Sequence, residues 1–289
     1  MGTLGSVIKF FAFQQGNDKH KPNEDAYSCT QLEGNNSFAV ADGVSRSVYG
    51  DMRYPLSALP AAEEFCMSMS LLASGISVPT AFALANTQII LVNEKAGITP
   101  DTVDYLGNDY ICCEGAAGVL EKKYPKKFSY GYIGDCGILV YDDHFLPVFL
   151  SDNPMGIAEQ FREGFEFKDK SEQRIFWRQK LRNHPDCRFM TYGALTGEAS
   201  ALSYVKTGSI DLEAGDTVIM FSDGIYPFIF DHRFRRLVAS LVRLEGTFCQ
   251  EVINMILGNY IMETREKMQH RGVGNLDDDK TFIALTVVS

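Results

Sequence analysis

The sequence predicts an α+β fold in which antiparallel sheets pack together with helices outside them. Short β-prone runs joined by polar turns fall in blocks, and runs with helical spacing fall in separate blocks between them. No internal repeat, low-complexity segment or linker divides the chain, so residues 1–289 read as one domain.

Val7 to Phe13 and Ala26 to Leu32 read as strands around a polar loop, and Ser37 to Ala41 as a third strand ending at Asp42-Gly43. Pro55 to Ala73 and Pro79 to Lys95 turn helical. Phe65 to Asn93 contains no charged residue, which raises the question of a membrane span. Gly75, Pro79, Asn86 and Gln88 interrupt it, and Ser77 before Pro79 reads as a helix start, so two core helices are expected instead. Strands return at Tyr110 to Leu120, Phe128 to Ile133, Gly137 to Tyr141 and Leu146 to Leu150, with Asp142-Asp143-His144 as a turn. A charged helix is expected over Glu172 to Leu181. Turn formers from Asn183 to Ser203 suggest surface chain, part of an insertion around 155–203 that would select substrates. Asp216 to Ser222 is an apolar strand ending in Asp223-Gly224. Thr247 and Gln250 resemble a capping box opening a helix with Val252, Ile253, Ile256, Leu257 and Tyr260 on one face. Thr281 to Val288 closes the chain as a strand.

With 45% hydrophobic residues the chain has ample material for a core, and its formal net charge of -10 argues against nucleic acid as a partner. The 7 cysteines lack metal or disulfide spacing and suit a reducing, cytoplasmic setting. Gly2 matches a myristoylation pattern, but a strand beginning at Val7 argues against lipidation. Trp177, His144, His184, His232 and His270 lack a partner pattern and are expected in structural or surface roles.

The chemistry-bearing pattern is acidic residues at strand ends. Asp42, Asp135 and Asp223 each follow an apolar run and sit beside glycine; Asp25 precedes a strand, and Asp277-Asp278-Asp279 precedes the last one. Carboxylates at neighbouring strand ends can converge on a hard cation, and glycine permits close approach. Each Asp-Gly alone is also an ordinary turn dipeptide.

Together these residues resemble the type 2C (PPM) family of metal-dependent Ser/Thr protein phosphatases, in motif order over nearly the whole chain. Asn23-Glu24-Asp25-Ala26 is similar to its Glu-Asp motif, and Phe38 to Val44 to its first Asp-Gly motif. Gly134-Asp135-Cys136-Gly137, Phe221 to Ile225 and Asp278-Asp279-Lys280-Thr281 resemble the remaining three. The resemblance implies an α-β-β-α sandwich with two Mg or Mn ions at one end of the sheets. It implies Asp42 as the ligand shared by both ions, Asp223 and Asp278 at the first, and the Gly43 carbonyl at the second. Glu24 and Asp25 would hold water around the ions, and Asp135 would contribute to a third site. The activity implied is hydrolysis of phosphoserine and phosphothreonine in proteins by a water that two metals activate. The alternatives are a pseudophosphatase binding module and a phosphatase of small phosphorylated metabolites. A monomer acting on a phosphoprotein, without a membrane span, is expected.

The chain departs from the family pattern at several positions. His20, between Lys19 and Lys21, stands where the family carries a phosphate-gripping Arg; with Arg46 it is the phosphate-binding candidate. Val44 replaces the family's general-acid His, Glu114-Gly115-Ala116-Ala117 replaces a hydroxyl-bearing strand start, and Pro227 stands where an acidic third-metal ligand is often found. Asp277 and Asp279 are expected to be solvated or to form local turns.

Overall fold

The computed structural model describes residues 7–16, 22–44, 57–185, 190–244, 249–269 and 276–288. Gly2, Lys19, His20, Lys21, Arg46, Thr247 and His270 lie outside the described residues. One five-stranded antiparallel sheet has the order β1 (Val7–Gln15), β10 (Lys280–Val288), β9 (Thr217–Phe221), β6 (Gly137–Tyr141), β7 (Pro147–Leu150). The other runs β2 (Ala26–Leu32), β3 (Asn35–Gly43), β4 (Cys113–Glu121), β5 (Tyr124–Ile133), β8 (Lys206–Asp211).

Alternation along each strand sorts side chains into three layers of core. Phe38, Val40, Ala116 and Tyr132 meet Ile138, Val218, Met220 and Ile283 between the sheets. Ala39, Ala41, Ala117 and Val119 face the opposite way, onto α1 (Leu59–Ser70) and α2 (Val78–Lys95), through Phe65, Met69, Phe82 and Ile89. On the far side, Phe221, Phe282 and Ala284 pack on α6 (His232–Arg243) and α7 (Gln250–Gln269), which bury Phe234, Val238, Ile253 and Leu257. The result is the expected α-β-β-α sandwich.

The uncharged segment is two helices, as read. Gly75, at φ +92°, ends the short turn after α1, and the Ser77 hydroxyl accepts from the Thr80 N–H at 3.3 Å to start α2. Among the described residues no helix is long and apolar enough to cross a membrane.

The segment between β7 and β8 differs from the expectation. It holds α3 (Met155–Glu163) and α4 (Lys170–Phe176), which answers to the charged helix expected over Glu172 to Leu181 and runs on without a break into a π-turn at Trp177–Leu181. Thr191 to Thr196, expected on the surface, is buried: Leu195 bridges Cys113 at the start of β4, and Tyr192 bridges Arg182. Its turn-forming composition concealed this, because Asn183 satisfies the buried backbone there, donating to the Ala194 carbonyl at 2.9 Å and accepting from the Ala194 N–H at 3.0 Å. Strand β8 and helices α3, α5 (Tyr226–Ile229) and α6 were not anticipated.

Candidate metal centre

Antiparallel pairing gathers the acidic strand ends on one edge of the sandwich. Ala26 at the start of β2 faces Ala41, Asp42 near the end of β3 faces Glu114, and Gly115 faces Ile133 at the end of β5. In the other sheet, Phe282 near the start of β10 faces Phe221 at the end of β9, which also faces Gly137 at the start of β6. Asp25, Asp42, Asp135, Asp223 and Asp278 therefore all sit at the same edge. Strand β3 continues through Asp42 and Gly43, so this Asp-Gly is not a hairpin turn. Asp42 has the parity of Phe38 and Val40, which points it between the sheets.

The carboxylates are close enough to perturb one another. Asp42 and Asp223 share a side-chain hydrogen bond. Burial pushes the carboxyls of Asp42, Asp223 and Asp135 well above the usual carboxylate range, and their mutual repulsion adds to it. Burial also pushes Asp25 up to about 8, against the opposing effect of a 2.7 Å hydrogen bond that its Oδ2 accepts from the Ser222 hydroxyl. Ser222 is fixed in turn, its N–H donating to the Thr281 carbonyl at 2.9 Å while its Oγ accepts from the Thr281 N–H at 3.0 Å. Asp25 Oδ1 and Asp223 Oδ1 are buried without a hydrogen-bond partner. Such atoms are rare in folded proteins, and a carboxylate oxygen left this way costs on the order of 1–3 kcal/mol or more. Buried, mutually repelling carboxylates with orphaned oxygens are a donor set for hard cations, so the residues present fit divalent metal ions.

Glu24 is buried beside this set. Its Oε1 accepts from the Ala58 N–H at 2.8 Å and the Ser57 hydroxyl at 3.1 Å, and its carbonyl accepts from the Gly43 N–H at 3.1 Å. It ties the chain entering α1 to the Asp42 strand. The expectation for Asp279 is overturned: it is buried, and its Oδ2 accepts from the Glu24 N–H at 3.0 Å. Asp277 is paired with Arg265, and the Asp278 carboxylate accepts from the Asp279 N–H at 2.9 Å. Lys280 closes the loop, donating to the carbonyls of Leu276 and Asp278 at 2.9 and 2.7 Å.

Glu114 is the site residue that sequence reasoning missed. It is buried opposite Asp42, and its Oε2 accepts from the Asp135 N–H at 2.7 Å. Its carboxyl also shares a side-chain hydrogen bond with Asp135, and burial raises its pKa. Gly134, at φ +75°, makes room for it, because a Cβ there would collide with the Glu114 carboxylate. A Cβ on Gly224 would likewise collide with the Asp279 carbonyl. These two glycines of the acidic motifs thus serve close approach.

Asp142, Asp143 and His144 also offer ligand atoms within 4.8 Å of one another. They form the half-buried to exposed β6–β7 turn, where the Asp142 carboxylate accepts from the N–H groups of His144 and Leu146, both at 2.9 Å. Those bonds account for the cluster as a turn.

No family model matches the sequence, and no curated relative matches it. Solved structures do. A serine/threonine phosphatase of S. agalactiae superposes with a TM-score of 0.58 at 15% identity, covering 98% of this chain and 100% of that one. The catalytic domain of the serine/threonine protein phosphatase PstP, solved with 2 manganese ions, gives 0.57 at 15% identity, over 98% and 100% of the two chains. RsbX, solved with magnesium, gives 0.53 at 13% identity over 97% and 95%. At these identities the likeness is one of fold: the chain has the type 2C phosphatase fold in a divergent sequence.

Proposed function

We propose that the protein is a metal-dependent phosphatase that hydrolyses phosphoserine and phosphothreonine in proteins. The observation that carries this reading is the convergence of Asp25, Asp42 and Asp223, with orphaned buried oxygens on Asp25 and Asp223, at one edge of a type 2C sandwich. Asp42, Asp223 and Asp278 would hold two Mg or Mn ions together with the Gly43 carbonyl, and Asp135 would contribute to a third site if one is formed without an acidic residue at Pro227. When bound, the ions supply the Lewis acidity that makes water nucleophilic near neutral pH and offsets charge on the phosphoryl oxygens.

The chain's own groups position this set. Ser222 orients Asp25, Glu24 and Asp279 lock the entry to β2 against β3, and Glu114 holds the Asp135 backbone. Val44 offers no proton to the leaving group, so general-acid catalysis from that position is absent. The substrate is expected to be a phosphoprotein, met by a monomer in the cytoplasm.

The test is hydrolysis of p-nitrophenyl phosphate and of a phosphothreonine peptide with Mn2+. Activity should vanish with EDTA and in Asp223→Asn. Hydrolysis indifferent to both treatments would overturn the reading, and a well-folded protein that binds Mn2+ without hydrolysing either compound would make it a binding module.

A further inference from the structure

Among the described residues the two sheets end on the edge strands β1, β7, β2 and β8, and three of these carry features that hinder the pairing of a further strand. On β1 the Ala12 carbonyl accepts from the Gln250 side chain, and Lys9 Nζ reaches the Arg243 carbonyl at 2.8 Å. β7 opens on Pro147, and β8 carries Lys206 and Asp211 at its ends. The residues of β2 supply no such feature. Its sequence, Ala-Tyr-Ser-Cys-Thr-Gln-Leu, holds no charge and no proline, and its register against β3 is unbroken from Ala26 to Leu32.

The phase of that pairing decides which backbone groups β2 leaves open. The Gly43 N–H donates to the Glu24 carbonyl at 3.1 Å, so Ala26, Ser28 and Thr30, of the same parity as Glu24, bond to β3. Asp25, Tyr27 and Cys29 therefore turn their N–H and C=O groups away from the sheet. At Asp25 both are taken, the N–H by Asn23 Oδ1 and the carbonyl by Gln14 Nε2, each at 2.9 Å. Those of Tyr27 and Cys29 have no partner among the described residues.

A groove of about 820 Å3 lies along this open edge, between β2 and α1, and it reaches the metal centre at Asp25. Among the described residues that line it, Asp25 and Glu63 carry charge and none is a cation. Ser28 Oγ donates to the Cys66 carbonyl at 3.0 Å, so the Ser28 face of β2 looks onto α1, where Glu63 and Met67 are exposed. The opposite face, with Cys29, turns between the sheets, as Asp42 does.

We propose that β2 receives the substrate as an added strand. An extended segment of the phosphoprotein bonds the open backbone of Tyr27 and Cys29. Its phosphorylated residue lies at the Asp25 end, on the face that turns between the sheets. The residues flanking it then face α1, where Glu63 selects a basic side chain. This rests on the phosphatase reading above. A second copy of the chain is the rival occupant of an open edge, and a formal net charge of -10 together with the acidic groove opposes it.

Binding is read by fluorescence anisotropy on the full-length protein loaded with Mn2+, with short labelled peptides. Their phosphothreonine is replaced by its methylene phosphonate, which is not hydrolysed. Only one of the two alternating sets of peptide N–H groups can face β2. Methylating the nitrogens of that set should weaken binding about tenfold, the equivalent of two lost hydrogen bonds, and methylating the other set should leave it nearly unchanged. A lysine beside the phosphonate residue should give about fivefold tighter binding than a glutamate there, and Glu63→Lys should invert that order. Equal effects of methylating the two sets, or a lysine preference kept in Glu63→Lys, would overturn the added strand, and hydrolysis of p-nitrophenyl phosphate by the same protein would leave the phosphatase reading standing. A loss confined to one set, in a protein that hydrolyses nothing, would uphold the strand site and overturn the phosphatase reading. A dimer in sedimentation that the peptide does not dissociate would give the edge to a second copy and overturn the proposal.

Discussion

Replacing Asp25 by Asn should stabilise the metal-free protein while weakening its hold on metal. Asp25 is buried; its Oδ2 has the Ser222 hydroxyl, but its Oδ1 has no partner. Its pKa rises on folding from 3.8 to about 8. A carboxyl raised in the folded state binds more protons there than in the unfolded chain, so stability falls as pH rises through that window. At pH 7 the gap of about 3 pH units above the unfolded value corresponds to a penalty of about 4 kcal/mol, which Asn removes. The amide brings its own desolvation cost, so a net gain of roughly 2 kcal/mol is the working figure, or roughly 4 °C in Tm for a chain of this size. The gain should be small at pH 5 and full at pH 8. The assay is thermal unfolding by circular dichroism in EDTA at both pH values, repeated with Mn2+. With Mn2+ the sign should reverse, because the wild type then gains the binding energy that the variant has partly lost. An Asp25→Asn protein destabilised equally at both pH values would refute the reasoning, since Asp25 would then be only an acceptor for Ser222.

Asp109→Ala should destabilise the protein by about 3–5 kcal/mol in urea unfolding, because it leaves the buried Arg178 and Arg182 without their shared carboxylate. Gly134→Ala should lower Mn2+ affinity in calorimetry, since its Cβ displaces the Glu114 carboxylate from the Asp135 backbone at a position of φ +75°. Glu114→Gln should keep the fold, as seen by circular dichroism, and cut phosphatase activity roughly 10–100-fold, the usual cost of losing a residue that orients metal ligands. Wild-type protein in EDTA should have a higher Tm near pH 5.5 than near pH 8, from the raised carboxyls of Asp25, Asp42 and Asp223, and Mn2+ at pH 8 should recover the difference.

The sandwich and much of the acidic set were legible in the sequence for a local reason. Each of Asp42, Asp135 and Asp223 closes an apolar run beside glycine, so chain direction and strand alternation already place it at a strand end. Glu114 was not legible, because its role comes from lying opposite Asp42 on another strand, and pairing register is a long-range property. Asp278 and Asp279 differ by one position, yet only the closed loop shows Asp279 turned inward onto the Glu24 backbone.

The central claim is that Asp42, Asp223 and Asp278 form a two-metal centre. It is tested most directly by anomalous scattering from a crystal soaked in Mn2+. Two peaks about 3.5–4 Å apart are predicted at the strand edge, with Asp42 between them and Asp223 and Asp278 on one. No peak there, or manganese only at the Asp142–His144 turn, would contradict the account.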